Sequence, residues 1–318
     1  MDLYLDFDDH SRRHRRGRRG YGRRNRSRKP WIIGIIIVLV LIIGVFFGGR
    51  KYMAYRKAQQ EKARRLAEAR KIVTVMIPEG YSIDMMAKRL EDQGVFKADE
   101  FIAAVKDTSQ YSNKFIKDIP SKKGVKYQLE GYLYPDTYKI YKSSKPKDLI
   151  QKMLDNFEKK YSVLAKDYKG KHSMAEIMTI ASMIEREAKV ESERPVIAGV
   201  IENRLAKKMQ LQIDPTVLYT TTNGLYNAKK VYYLKVKTVY NTYVIKGLPA
   251  GPICNPSDTA IKAAMNPKKH KYLYYRTDGS KKGTHVFTKT FDEHKKAKST
   301  STKDKNSTNS TNTTNSKS

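Results

Sequence analysis

The sequence predicts an α+β fold behind one apolar helix, with polar tails at both ends, and three patterns carry that prediction. Residues 31–49, WIIGIIIVLVLIIGVFFGG, contain no charge, and at about 1.5 Å per residue they reach about 28 Å, enough to cross a hydrocarbon core. Short β-rich runs occur at 72–77, 132–138 and 272–277, and again at 284–290. Between them, apolar residues recur at helical spacing.

In chain order, residues 1–30 begin acidic and turn into an Arg-rich run with too few apolar residues to bury a core, so they predict a disordered tail. The segment 31–49 predicts a retained transmembrane helix, because a cleaved signal has a shorter apolar region and a small-residue cleavage site. Residues 12–29 carry eleven Lys/Arg against nine in 50–71, where Glu61 and Glu68 dilute them. The denser N-terminal flank predicts a cytoplasmic N-terminus with the remainder outside. Residues 50–71, rich in Ala, Lys, Arg and Glu, suit a helical stalk.

IVTVMI (72–77) predicts a strand closed by Pro78, Glu79 and Gly80. Ser82 caps a helix whose face is Ile83, Met86, Ala87 and Leu90, with Gly94 as its stop. Asp99 opens another helix with Phe101, Ile102 and Val105, and a return strand over 132–138 completes a small α+β unit. A helix bearing Leu149, Met153 and Phe157 leads to the central pair. Ser173 and Glu176 form a capping box at the start of an apolar helix running to about Lys189, with a stripe of Ile177, Ile180, Ala181, Ile184 and Ala188. A second apolar helix follows. Beyond it, 207–224 reads as turn-rich, with a turn at Asp214-Pro215, and 240–257 as a long irregular loop of the kind that carries binding sites. A short helix at 259–266 and a hairpin close the fold, and 294–318 is a Lys/Ser/Thr/Asn tail.

Composition narrows the chemistry. Sixty-four Lys+Arg against 32 Asp+Glu give a formal charge of +32, which suits an anionic partner such as lipid headgroups, wall polymer or nucleic acid. The predicted orientation removes most of that charge from the cytoplasm and argues against nucleic acid. A single cysteine, Cys254, excludes an internal disulfide or Cys-based zinc site, and no HExxH motif occurs among the six histidines.

The candidate chemistry sits at the end of the capped helix, where Glu185 and Glu187 flank its apolar stripe. Two residues apart, they point to different sides and cannot act as a facing pair. An acid at the margin of an apolar face is partly desolvated, and its pKa rises toward proton-donor range. Glu187 lies beside Ile180, Met183 and Ile184, and Glu185 beside the smaller Ala181 and Ser182, so Glu187 is the better candidate and Glu185 the fallback. The blander alternative is a solvated helix end.

The blocks IPEGYSI, LEGYLYPDTY, ASMIEREA, VIENRL, LQIDPTVLY, YNTYVIKGLPAGPICNPS, KYLYYR and HVF, in this order over 72–287, resemble the endolytic murein transglycosylase, or YceG-like, family. The resemblance implies a LysM-like subdomain with its connector (72–165) and a mixed α+β catalytic domain (166–293) cleaving peptidoglycan glycan strands, with neither metal nor cofactor. It implies Glu187, with Glu185 behind it, as the one catalytic acid. Asn203, Asp214, Thr216, Tyr240, Asn241 and Tyr243 match blocks that line the family's cleft and are the expected substrate contacts. The membrane and the cell-wall synthesis machinery are the other implied partners, and nucleic acid is not. A membrane-anchored, non-catalytic glycan-binding scaffold is the competing expectation.

Overall fold

The computed structural model describes residues 29–223, 234–279 and 283–297. The chain divides into two units, one ending at Leu66 and the other starting at Ala67. Span and stalk are one continuous helix, α1 (Lys29–Ala69). Its apolar side chains from Trp31 to Phe47 are exposed, and it is long and apolar enough to cross a membrane. Of the expected tails only 29–30 and 294–297 are described; both are helical, the first because Pro30 is tolerated in a helix's opening turn. The rest of both tails lies outside the described residues.

In the second unit, β1 (Ile72–Met76) pairs antiparallel with β2 (Thr137–Tyr141), from Ile72 opposite Tyr141 to Met76 opposite Thr137. The return strand therefore begins five residues later than 132–138 predicts. Tyr132 and Leu133 are buried in the turn that precedes it, where the Leu133 amide donates to Asn255 Oδ1 at 2.8 Å. Their apolarity reflects burial under a loop, which a periodicity argument reads as a strand. Gly131 makes the turn possible. It has φ +89°, and a Cβ there would meet Pro252 at 2.5 Å.

Helices α2 (Ile83–Asp92) and α3 (Ala98–Lys106) sit between these strands in sequence, and Ser82 caps α2 by accepting from the Met85 amide. The helix α4 (Pro146–Leu164) buries Leu149, Met153 and Phe157 as its spacing predicts. Phe157 meets Tyr132 edge-on and Phe115 at 5.0 Å. One core cluster draws on both 72–165 and 166–293.

The helix α5 (Met174–Glu187) has the expected capping box of Ser173 and Glu176. All of Ile177 through Ile184 is buried, Thr179 and Ser182 included. The sequence predicts one apolar stripe, but the middle of α5 is enclosed on all sides, and its hydroxyls find partners within the fold. Thr179 Oγ1 donates to the Ala175 carbonyl at 2.7 Å, and Ser182 Oγ accepts from the Ile253 amide at 3.0 Å. Around it lie α6 (Arg194–Ala206), α7 (Asp214–Thr221) and α8 (Asp258–Met265). Asp214-Pro215 opens α7 and is no simple turn, since Pro in a first turn costs no hydrogen bond and pre-sets φ. Residues 240–257 are irregular as expected. The hairpin of β3 (Tyr274–Thr277) and β4 (His285–Thr288) pairs Tyr275 with Phe287.

Candidate active site

The two acids at the end of α5 have different surroundings. Glu185 is 9% exposed and fully engaged: Arg194 Nη2 lies at 3.2 Å, and the Ser257 amide and hydroxyl both donate to Oε2. Because Arg194 opens α6 and Ser257 caps α8, Glu185 ties three helix ends together. Its bonding capacity is used structurally.

Glu187 ends α5 on another side. The residue is partly exposed, while its carboxyl is packed within protein. Desolvation, reinforced by the Asp214 carboxylate, raises its pKa to about 7, and a hydrogen bond from the Tyr275 hydroxyl works against that rise. Asp214 accepts a hydrogen bond from the Tyr243 hydroxyl. Burial and the neighbouring carboxylates push the Tyr275 and Tyr243 hydroxyls well above their ordinary range, so both stay protonated donors at neutral pH.

Arg204 closes one side. Its guanidinium donates to the carbonyls of Leu273 (2.6 Å) and Leu211 (2.7 Å) and lies 5.2 Å from the Tyr274 ring centroid. It thereby fixes the strand carrying Tyr275 to the segment leading into Asp214. Desolvation lowers its pKa, but an arginine remains charged.

The structure thus brings Glu187, Asp214 and Tyr243 together. The other expected contacts do supporting work. Asn203 Nδ2 donates to the His270 and Tyr272 carbonyls, each at 2.9 Å, and holds the approach to β3. Thr216 is fully buried and bonds the Ile213 carbonyl at 2.6 Å. Tyr240 is buried with its ring 4.8 Å from that of Tyr219. Asn241, also buried, spans the Leu234 and Val236 carbonyls and accepts from the Tyr243 amide at 2.9 Å. As placed, these last three face protein, and Asn241 sets the backbone that presents Tyr243.

Residues 50–300 match the YceG-like family. The chain belongs to that family. It is 36% identical over 236 residues to the endolytic murein transglycosylase of Bacillus subtilis strain 168, covering 70% of this chain and 64% of that protein. It is 35% identical over 224 residues to the endolytic murein transglycosylase of Streptococcus pneumoniae R6, covering 65% of this chain and 41% of that one. The chain therefore spans less than two thirds of either relative. The crystal structure of a yceG-like protein from Listeria monocytogenes superposes with a TM-score of 0.61 at 36% identity, covering 70% of this chain and 75% of that one.

The resemblance read from the eight motifs is borne out at the level of family, and so is the α+β fold. Two residues beside Glu187 and Asp214 escaped the sequence reading, Tyr275 and Arg204. Both stand inside the blocks KYLYYR and VIENRL, where the sequence offers a strand and an apolar helix and singles out neither side chain. The signal that could have found Arg204 is its place on the helix: Val200 and Ile201 precede it at i−4 and i−3, Lys207 and Lys208 follow at i+3 and i+4, and so no acid on its own face pairs with it.

Proposed function

We propose that this chain is a membrane-anchored lytic transglycosylase that cleaves within peptidoglycan glycan strands, with Glu187 as its single acid and base. The observation that carries the reading is the Glu187 carboxyl: desolvated enough to hold a proton near neutrality, set beside Asp214 and the Tyr275 hydroxyl, in a residue that is still partly exposed. The two relatives are endolytic murein transglycosylases by name, and the match over most of this chain supports the same activity.

Protonated Glu187 donates to the glycosidic oxygen joining N-acetylmuramic acid to the next N-acetylglucosamine, and the C1–O4 bond breaks. The resulting carboxylate takes the proton from the muramyl C6 hydroxyl, whose oxygen forms a new bond to C1 and closes a 1,6-anhydro ring. One proton leaves Glu187 and one returns, and no water is consumed. An intramolecular nucleophile explains how a lone acid suffices where a hydrolase needs two. Tyr275 orients the carboxyl and stabilises its ionised form, Asp214 favours the protonated form, and Tyr243 holds Asp214. Residues 72–165 act as a LysM-like glycan-binding subdomain. The helix α1 anchors the chain with its N-terminus cytoplasmic, so the acid works outside the membrane beside newly made strands and the enzymes that synthesise them.

The test is glycan cleavage by Glu187→Gln, with folding monitored by thermal melting. Removing a general acid costs about 10²–10⁴-fold in rate; unchanged cleavage by a folded Glu187→Gln protein overturns the assignment. A dead Glu185→Gln beside an active Glu187→Gln would keep the reaction and move the role to Glu185.

A further inference from the structure

The hairpin that carries Tyr275 is fastened to the chain just beyond Glu187, through two residues that the reaction above does not use. After α5 the chain makes a short helical turn, Glu191–Glu193, before α6 begins. Glu193 engages both donors of one residue on β4: its Oε1 accepts from the His285 backbone amide at 2.9 Å, and its Oε2 accepts from His285 Nδ1 at 2.7 Å. A carboxylate has only acceptors to offer, so the ring donates from Nδ1. The two side chains are 5% and 14% exposed, His285 and Glu193 respectively, which separates this pair from the solvated surface contacts that contribute little. A second contact joins the same two segments. Gly283, two residues before His285, has φ +71°, and a Cβ there would stand 2.8 Å from Lys189 Cδ.

From this fastening the path to the acid passes through one ring. The His285 ring meets that of Tyr275 edge-on, with centroids 5.5 Å apart and planes at 88°. Phe287 meets the Tyr275 ring at 6.1 Å. Residues two apart on a strand share a face, so Tyr275 is walled by its direct partner across the hairpin, Phe287, and by a diagonal neighbour, His285. A tyrosine has two side-chain torsions, and walls on its ring fix where its hydroxyl points. That hydroxyl donates to the Glu187 carboxyl.

We propose that Glu193 and His285 are positioning residues for the reaction: Glu193 holds the His285 ring, and that ring sets the angle at which Tyr275 presents its hydroxyl to Glu187. The proposal rests on the transglycosylase reading and deepens it. Because Glu193 lies six residues after the acid, its bonds also keep the connector that leaves Glu187 in register with the strand that carries Tyr275.

The test is the pH profile of kcat/KM on glycan strands, measured with the full chain in detergent, for Glu193→Ala, His285→Asn, Tyr275→Phe and the two doubles that add Tyr275→Phe. His285→Asn removes the ring and keeps an amide able to donate to Glu193, so it separates the wall from the tether. The titratable groups facing Glu187 are Asp214, Tyr275 and Tyr243, with Arg204 facing both tyrosines; Glu193 and His285 are not among them. Glu193→Ala and His285→Asn are each expected to lower kcat/KM at neutral pH by about ten- to hundredfold, the scale of a small misplacement near the reacting atoms. Each should also carry the alkaline limb to higher pH, as Tyr275→Phe does. Loss of the Glu193 charge acting alone would carry it to lower pH. In the Tyr275→Phe background neither should add more than about twofold, the scatter of independent effects. A limb that stays or falls in a folded variant, or losses that multiply in the doubles, overturns the proposal and leaves Glu187 as the acid. If one variant fails to give a cooperative thermal melt, the other carries the same test; failure of both where Tyr275→Phe folds makes the pair structural and overturns the proposal as well. A wild-type protein that cleaves no strand ends the transglycosylase reading and the positioning role with it.

Discussion

If Glu187 is a buried acid held for chemistry, its ionised form must cost the fold, and removing it should stabilise the protein in a pH-dependent way. Its pKa stands near 7 in the folded chain against an ordinary 4.5, a difference that converts to about 3 kcal/mol as an upper figure. The sign follows from linkage. Below pH 4.5 the carboxyl is protonated in both states and costs nothing. Between 4.5 and 7 the unfolded chain releases its proton while the folded chain keeps it, so stability is lost as pH rises, and above 7 the full cost applies. Glu187→Gln keeps the shape and has no charge to bury. It should therefore melt higher than wild type at pH 8, by about 2–4 °C for each kcal/mol recovered, and match wild type at pH 4.5. Thermal melts of both proteins across pH 4–8 supply the assay. A variant less stable at pH 8, or a gain constant across pH, would refute the desolvation of Glu187.

Other outcomes follow from the same geometry. Asp214→Asn removes the charge that reinforces Glu187's raised pKa, so the alkaline limb of kcat/KM should move to lower pH, whereas Tyr275→Phe removes a donor to the carboxylate and should move it to higher pH; limbs that move the same way would contradict the arrangement. Glu185→Ala leaves Arg194 buried without its carboxylate and should cost about 3–5 kcal/mol of stability in a denaturant titration, so a Tm equal to wild type would show that Glu185 is not the structural tie.

Much of this fold was legible because the signals are local. The Ser82 and Ser173 caps, the apolar span of α1, and the α4 spacing of Leu149, Met153 and Phe157 each depend on neighbours within a few residues. What escaped depends on distant partners. Tyr132 and Leu133 look like strand because burial under 252–255 selects the same side chains that a sheet does. Thr216, Tyr240 and Asn241 stand in blocks that suggest contact with substrate, yet their hydrogen bonds and rings turn inward to set the backbone under Tyr243 and Asp214. Glu187 could be preferred over Glu185 from its apolar neighbours alone. The reason the choice is physically sharp, Arg194 and Ser257 saturating Glu185, lies 9 and 72 residues away.

The sharpest measurement is the chemical form of the new chain end. Purified full-length protein is incubated with glycan strands in isotopically labelled water, and the products are weighed by mass spectrometry. One carboxyl serving an internal nucleophile yields anhydromuramyl ends without label, and none from Glu187→Gln; labelled reducing ends would mean that water attacks, with the neighbouring Asp214 carboxylate a group able to activate it, and the single-acid account would be wrong.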